Sequence, residues 1–271
     1  MKRLIASFLF VCCFTLLLSG CKQSPIDGPD NTSGQTQPTT QPATQPTQAS
    51  TQPTTQPTEP IVVEDIEGPL AQYVQTAIKE KYQLFDKYGY GELQQESTLR
   101  VPKLLPFSED AIAAQTEMEG KLNTYITDVR ESYAEGLSAS TKSIDYNAYL
   151  NDNVLSVVIE AESMFDLCFY LVYNFDIETG KRLDTEGLMT KLSILDYTEK
   201  FTQVAKNAYE EKYQGYQNKD ELYNTQLATT VSKENIDKAM PYVAEDGKIK
   251  VILNIYSLAG AEYYPQVVSL S

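Results

Sequence analysis

The chain has 271 residues and a formal net charge of −15, with 19 tyrosines, no tryptophan and no histidine. The lack of histidine excludes Ser-His-Asp and Cys-His catalytic sites and every metal site that needs a histidine ligand. The sequence has 37 acidic and 22 basic residues and no basic cluster, so its composition also argues against nucleic acid as a partner.

The N-terminus has the organisation of an export signal. Two basic residues precede an apolar run over residues 4–18, and small residues then precede Cys21. A run of about 15 residues is shorter than the roughly 20 that a transmembrane helix needs. Leu18-Ser19-Gly20-Cys21 is similar to a bacterial lipobox, in which the cysteine takes a diacylglycerol and the signal is cut before it. We therefore expect a lipoprotein signal peptide over residues 1–20 and a palmitate-type anchor on Cys21, at the extracytoplasmic face of a cell membrane.

Processing leaves one thiol in the folded part of the chain. Cys12 and Cys13 leave with the signal and Cys21 carries lipid, so that Cys168 remains. One thiol cannot form an internal disulfide, and the domain must therefore fold on its hydrophobic core alone. Since Cys168 lies in an apolar run, we expect it to be a small buried core residue and not a nucleophile.

A low-complexity linker is predicted for residues 21–60. It contains five Thr-Gln-Pro repeats and, from residue 23 onward, no aromatic residue. A segment this poor in apolar residues cannot offset its ordering entropy, so we expect a disordered tether. At about 3.1 Å per residue it would reach on the order of 100 Å, which suits a thick cell wall and favours a Gram-positive host. All 19 tyrosines follow Pro60, which places the folded domain at residues 61–271.

The first predicted elements of the domain are helices. A weak one is predicted from residue 70 to about residue 78. The clearest helix begins after Pro106, with Ser108 as its N-cap, acidic residues in its first turn and apolar residues at helical spacing. Gly136 is a natural end for it.

The apolar period then changes to that of β-strands. β-branched and aromatic residues concentrate in three runs, with a tight-turn signal at residues 151–153. We expect an antiparallel meander over residues 143–150, 154–161 and 167–177, followed by a short strand at 182–183.

The C-terminal part combines one helix with further strands. The helix is predicted over residues 194–213 from its apolar side. Residues 245–248 resemble a hairpin turn between strands at 241–244 and 249–256, and a last strand is predicted at 266–270. The fold class is therefore α+β, with helices packed on a mostly antiparallel sheet after a disordered N-terminal tether.

Carboxylates cluster at the end of one predicted strand. Glu160 and Glu162 have the same strand parity and precede Asp166, so they can project to one face, as the carboxylates of a glycoside hydrolase do across a cleft. A solvated strand end explains the same residues. Exposed tyrosine supplies rigid contact area with a hydroxyl group, although tyrosine is also a favourable strand residue. Our candidate ligand-facing residues are these three carboxylates together with Tyr263 and Tyr264.

No cofactor or metal is expected. Asn174, Asp176 and Glu178 alternate like the first ligands of a calcium loop. The sixth and twelfth positions of such a loop need glycine and glutamate, and here they are Thr179 and Thr185. We interpret this segment as a hairpin turn.

Three segments carry a resemblance to a known family. Residues 172–183, with the sequence VYNFDIETGKRL, resemble the core strand and turn of the PdaC/RsiV-type extracytoplasmic domain, a family of domains of unknown function. Residues 99–104 and 243–259 are similar to the family's strand-then-proline entry and closing strand, so that the resemblance covers most of residues 97–270. Residues 161–165 depart from the Gly-Gly-Ala-His type motif that members often carry, and no role is transferred to them.

The resemblance implies the ligand-binding or sensor part of such proteins, which in RsiV-like receptors recognises lysozyme, a basic protein. We therefore expect a non-catalytic, lipid-anchored binding or sensing module of the cell envelope, with a cell-wall component or a cationic protein as its ligand. Removal of two basic residues with the signal changes the formal charge from −15 to −17, which attracts a cationic partner or only keeps the domain soluble. The alternative is a carboxylate-dependent glycan hydrolase acting on cell-wall polymer. A solute-binding lipoprotein is a third option, although the two-lobed alternation of strands and helices typical of that class is not predicted.

Overall fold

The computed structural model describes residues 66–85, 93–216, 220–259 and 262–270. The predicted signal, the lipidated Cys21 and the predicted linker lie outside these residues. In chain order the described elements are β1 (Val74–Phe85), β2 (Leu93–Leu104), α1 (Glu109–Glu135), β3 (Thr141–Asn151), β4 (Val154–Ser163), β5 (Cys168–Asp176), β6 (Lys181–Leu183), α2 (Thr185–Lys191), α3 (Tyr197–Lys212), α4 (Glu221–Thr230), α5 (Lys233–Ile236), β7 (Met240–Val243), β8 (Ile249–Tyr256) and β9 (Tyr263–Ser269).

Strands β1 to β6 form one sheet in which the spatial order is the chain order. Neighbouring strands are antiparallel except β2 and β3, which pair in parallel over two positions, Thr98 with Ser143 and Leu99 with Ile144. The parallel pair follows from α1, because a helical crossover lets consecutive strands run in the same direction. The predicted α+β class with a mostly antiparallel sheet is confirmed.

Helix α1 covers one face of this sheet and has the predicted ends. The hydroxyl of Ser108 accepts the N–H of Ala111 at 3.1 Å as N-cap. Gly136 ends the helix with a left-handed φ of 68°, which glycine adopts without strain. The buried side of the helix packs in a first core with alternate residues of the sheet, and its members are Ala111, Ala114, Met118, Leu122 and Val129.

A second antiparallel sheet is formed by β7, β8 and β9 in that order. Alternate residues of β8 enter a second core together with apolar residues of helices α2 to α5. The side chains of this core include Phe201, Tyr209, Tyr223, Leu253 and Ile255.

Strand β4 contributes to each of the core clusters formed by the described residues. Leu155 and Ile159 lie in the first core and Val154 lies in the second. Val158 packs against Tyr242 in a third, smaller cluster where the second sheet meets the first. A strand buried on both faces needs apolar residues at consecutive positions, which explains the nearly continuous apolar run of β4.

A buried pair of polar side chains joins the two sheets. The Ser156 hydroxyl donates to Asn174 Oδ1 at 2.7 Å and accepts the backbone N–H of Val243 at 3.1 Å. Asn174 in turn donates to the carbonyl oxygen of Pro241 at 2.9 Å. Because these groups are hydrogen-bonded to one another, the joint can be buried at little cost.

The helix predicted for residues 70–78 is wrong. A 3-10 helix covers only Gly68–Gln72, and β1 follows it. Val74, Ile78 and Tyr82 all pack in the first core, and their spacing of four fits both one helical turn and two strand repeats. The choice between helix and strand is decided by pairing with β2 along the whole length of β1, which the spacing of residues within β1 cannot predict.

The predicted starts of one helix and one strand also differ from those in the structure. The helix predicted from residue 194 begins as α3 at Tyr197, and Ile194 packs on the second core from outside the helix. The last strand begins at Tyr263 and not at residue 266, because Tyr263 pairs with Tyr256. No helix in the described part of the chain has both the length and the apolar content needed to cross a membrane.

Candidate functional site

The carboxylates that the sequence analysis selected lie on the hairpin between β4 and β5. Glu160 and Glu162 belong to β4, and Asp166 lies in the turn. Glu160 and Glu162 point away from α1, because the residues of opposite parity, such as Ile159 and Ala161, fill the first core. By strand geometry, residues two positions apart on one face are separated by about 7 Å.

Glu160 is held by a neighbouring tyrosine. The hydroxyl of Tyr170 on β5 donates to Glu160 Oε1 at 2.8 Å, and burial together with this carboxylate raises the pKa of Tyr170 well above its ordinary value. Burial and the same carboxylate raise the pKa of the Cys168 thiol to about 11. A thiol that stays protonated at neutral pH is a poor nucleophile. Cys168 is only partly buried, so the prediction that it is a fully buried core residue is wrong.

Glu162 and Asp166 share one cation. Lys142 Nζ on β3 lies 2.7 Å from Glu162 Oε1 and 3.6 Å from Asp166 Oδ1. The hydrogen bond to Glu162 raises the pKa of the lysine above its ordinary value, so the ammonium group stays charged. With Glu160 on the same strand face as Glu162, three carboxylates and one ammonium group leave this end of the hairpin negative.

The turn of the same hairpin carries exposed apolar side chains outside the predicted set. Phe165 is 81% exposed, and Met164 and Leu167 are also exposed. We call these three residues the hairpin tip. The signal that could have found them is the pair Met164-Phe165 at a turn position, where polar residues and glycine are usual.

The hairpin tip is held by hydrogen bonds around Ser163. The Ser163 hydroxyl accepts the backbone N–H groups of Phe165 and Leu167, each at 3.3 Å. The Ser163 N–H donates to the carbonyl oxygen of Leu167 at 2.9 Å, and the Ser163 carbonyl accepts the N–H of Asp166 at 3.1 Å. Asp166 has a φ of 56°, a left-handed conformation that aspartate tolerates better than most residues. These bonds hold the backbone of the turn in one arrangement.

Contacts with α1 support the hairpin from behind. The ring of Phe169 stacks on Tyr125 with ring centroids 5.7 Å apart and planes inclined by 20°. An offset aromatic pair of this kind stabilises the base of the turn against the helix.

The two tyrosines of the candidate set lie elsewhere, on β9 of the second sheet. Tyr263 and Tyr264 are consecutive strand residues, so they point to opposite faces. Tyr263 packs beside Tyr256 at a centroid distance of 5.9 Å, whereas Lys212 Nζ of α3 lies 4.4 Å above the ring of Tyr264. The structure therefore does not join them into one surface.

Glu160, Glu162 and Asp166 line none of the main clefts in the described part of the chain. One of these clefts, of about 420 Å³, lies where β5, β6 and the start of α2 meet β7. Another of about 320 Å³ lies between α1 and strands β1 and β2. Among the described residues, no group of three or more acidic or cysteine side chains is arranged to hold a metal ion. This end of the hairpin is thus exposed surface and not the lining of one of these clefts.

Comparison with known proteins identifies a distant structural likeness. No protein-family model and no curated protein matches the chain. Among solved structures, the chain is similar to the crystal structure of a member of the DUF3298 family, a domain family of unknown function, from Bacteroides fragilis. The two share 14% sequence identity and a TM-score of 0.36, over 72% of this chain and 88% of that one. At this TM-score the likeness supports no argument about the fold or the function.

Proposed function

We propose that the protein is a lipid-anchored module of the cell envelope that binds or senses an extracytoplasmic ligand and does not catalyse a reaction. The ligand is a cell-wall component or a cationic protein. The observation that carries the proposal is the hairpin tip, where exposed apolar side chains stand beside Glu160, Glu162 and Asp166. Exposed apolar patches bordered by charge are typical of interaction surfaces.

The assignment to the PdaC/RsiV-type domain is part of the same proposal. Its support is the segment of residues 172–183, which in this chain forms most of β5, the following turn and β6. The lipid anchor on Cys21 rests on the sequence alone and places the module at the extracytoplasmic face of a membrane.

A direct binding measurement tests the proposal. The full-length chain, purified in detergent, is immobilised and exposed at low salt to hen egg-white lysozyme and, separately, to purified cell wall. We expect saturable binding of at least one of them. Lysozyme with acetylated lysines is the control for charge, because acetylation removes the positive charge of the lysine side chain. Absence of binding to both ligands would remove both from the proposal.

The second candidate, a glycan hydrolase, is favoured by one observation, the shared face of Glu160 and Glu162. In the structure Glu160 accepts a hydrogen bond from Tyr170 and Glu162 pairs with Lys142, so both carboxylates are engaged. We expect the full-length chain to release no reducing ends from peptidoglycan, measured beside lysozyme as positive control. Release that is abolished by Glu160→Gln would replace the binding proposal with the hydrolase.

A further inference from the structure

We propose that the hairpin tip is the contact surface for a basic protein, and that Phe165 is the anchor that enters an apolar recess of this partner. The inference rests on the proposed function, since it requires that the chain binds a protein ligand. It goes further in naming one ligand class and one anchoring residue.

The first argument is the exposure of the tip. Phe165 is 81% exposed although it is aromatic, and Met164 and Leu167 expose apolar surface beside it. A few aromatic side chains dominate the energy of most protein interfaces, because each buries a large rigid area when the partner binds. A single exposed apolar residue would need no explanation, whereas several on one turn indicate a contact surface.

The second argument is the rigidity of the turn. The Ser163 hydroxyl binds the backbone N–H groups of Phe165 and Leu167, and Phe169 behind the tip stacks on Tyr125. A turn whose backbone is already ordered loses less conformational entropy on association. The backbone that carries Phe165 is therefore preorganised.

The third argument is charge, which selects the partner. The Asp166 side chain is 84% exposed and adjoins Phe165, while Glu160 and Glu162 lie behind it on β4. This arrangement, on a chain of formal charge −15, attracts a surface that is positive around an apolar recess. An anionic lipid surface would be repelled by the same carboxylates. A basic protein is therefore the occupant that the charges favour.

The experiment compares two equally exposed apolar residues. Leu195, in the loop between α2 and α3, is 83% exposed and is the matched control for Phe165. Phe165→Ser and Leu195→Ser are made in the full-length chain, and the Kd for lysozyme is measured in detergent at 50 mM salt. We expect Phe165→Ser to weaken binding at least tenfold and Leu195→Ser to change it less than twofold. Thermal unfolding of both variants checks that the fold is kept.

Two outcomes separate this inference from the proposed function. If the wild-type chain binds lysozyme and Phe165→Ser binds it equally well, the anchor is wrong and the binding function stands. If the wild-type chain does not bind lysozyme, the cationic-protein ligand and the anchor are both overturned.

Two further arms test the identity of the partner. Asp166→Asn, which keeps a residue that tolerates the left-handed backbone, should slow lysozyme association two- to fivefold at low salt. An unchanged association rate would overturn the choice of a basic partner. Vesicles of phosphatidylglycerol form the other arm: binding by the wild-type chain that Phe165→Ser abolishes, with unchanged lysozyme affinity, would assign the tip to a membrane and overturn the proposal.

Discussion

At the scale of single residues, the ion pair between α1 and β6 shows how the fold sets the protonation of a carboxylate. Arg182 Nη1 donates to Glu117 Oε2 at 2.6 Å, and the guanidinium group lies 4.8 Å above the ring of Tyr173. The hydrogen bond from Arg182, helped by Lys121 and opposed by partial burial, holds the pKa of Glu117 at about 2.

The first prediction concerns pH. Because the pKa of Glu117 is lower in the folded chain than its ordinary value of 4.5, its ionised form stabilises the fold above about pH 5. This stabilisation is lost as the pH falls from about 5 to 2. We expect Glu117→Gln to lose less free energy of unfolding over that window than the wild type, measured by urea denaturation at several pH values. Glu131→Gln, at an exposed position of the same helix, should keep the wild-type slope. Equal slopes for Glu117→Gln and wild type would contradict the prediction.

The second prediction concerns the polar joint between the sheets. Ser156→Ala removes one hydroxyl and leaves Asn174 Oδ1 and the N–H of Val243 without that partner in a buried place. We expect the free energy of unfolding to fall by about 1–3 kcal/mol. Thr202→Ala removes a hydroxyl that bonds Thr198 on the exposed side of α3, and it should change stability by less than about 0.5 kcal/mol. Equal effects of the two substitutions in denaturant titrations would show that burial does not increase the cost of losing the Ser156 hydroxyl.

At the scale of elements, one close approach fixes how the β5–β6 turn meets the start of α1. Gly180 has a φ of 72°, and a Cβ added to it would lie 2.7 Å from the Cβ of Ser108. Gly247, in the turn between β7 and β8, has nearly the same φ of 74°, but the nearest atom to its added Cβ is Asn151 Oδ1 at 3.7 Å. The two glycines differ in available space and not in backbone conformation.

The third prediction uses this pair. Gly247→Ala should cost only the backbone strain of a left-handed alanine, about 1–2 kcal/mol. Gly180→Ala should lower the free energy of unfolding by a further ~1–3 kcal/mol, because its Cβ is overpacked against Ser108. Adding Ser108→Gly, which alone costs a few tenths of a kcal/mol as an N-cap, should remove that extra term in the double variant. Equal stabilities of the two alanine variants in thermal unfolding would contradict the close approach.

The elements that the sequence predicted are those whose signals are local. Helix α1 has both of its caps in the sequence, and the meander has alternating residues with turn signals between its strands. Strand β1 failed because its apolar spacing of four fits two periods, and only pairing with β2 decides between them. Helices α2, α4 and α5 were not predicted, although Asp184, Asp220 and Ser232 cap them, because their apolar faces are short.

The candidate site was predictable to a similar degree. The common face of Glu160 and Glu162 follows from strand parity. The bond from Tyr170 and the ion pair with Lys142 depend on strand register, which residue types alone do not specify. Phe165 was missed because apolar residues are assigned to a core by default, and only its position in the folded turn shows that no core is within its reach.

At the scale of the whole molecule, the excess of acidic residues should govern how fast a cationic ligand associates. Screening by salt weakens attraction beyond a Debye length, which falls from roughly 10 Å at 0.1 M to about 3 Å at 1 M. The fourth prediction is that the association rate of lysozyme with the full-length chain drops about tenfold between 0.05 and 0.5 M salt. Acetylated lysozyme should show a much weaker dependence. A rate that does not respond to salt would mean that the formal charge of −15 has no part in ligand capture.

Strand β4 has a consequence for how the domain opens. Because its side chains belong to all three core clusters, neither sheet can separate without exposing residues that the other also needs. Native-state hydrogen exchange should therefore find the slowest amides along β4, exchanging only through complete unfolding, while the amides of the hairpin tip exchange through small local openings. The turn that carries the hairpin tip would then exchange fast although it adjoins the slowest-exchanging strand. A bound partner would protect the amides of residues 163–168 and leave the exchange rates in the rest of β4 unchanged.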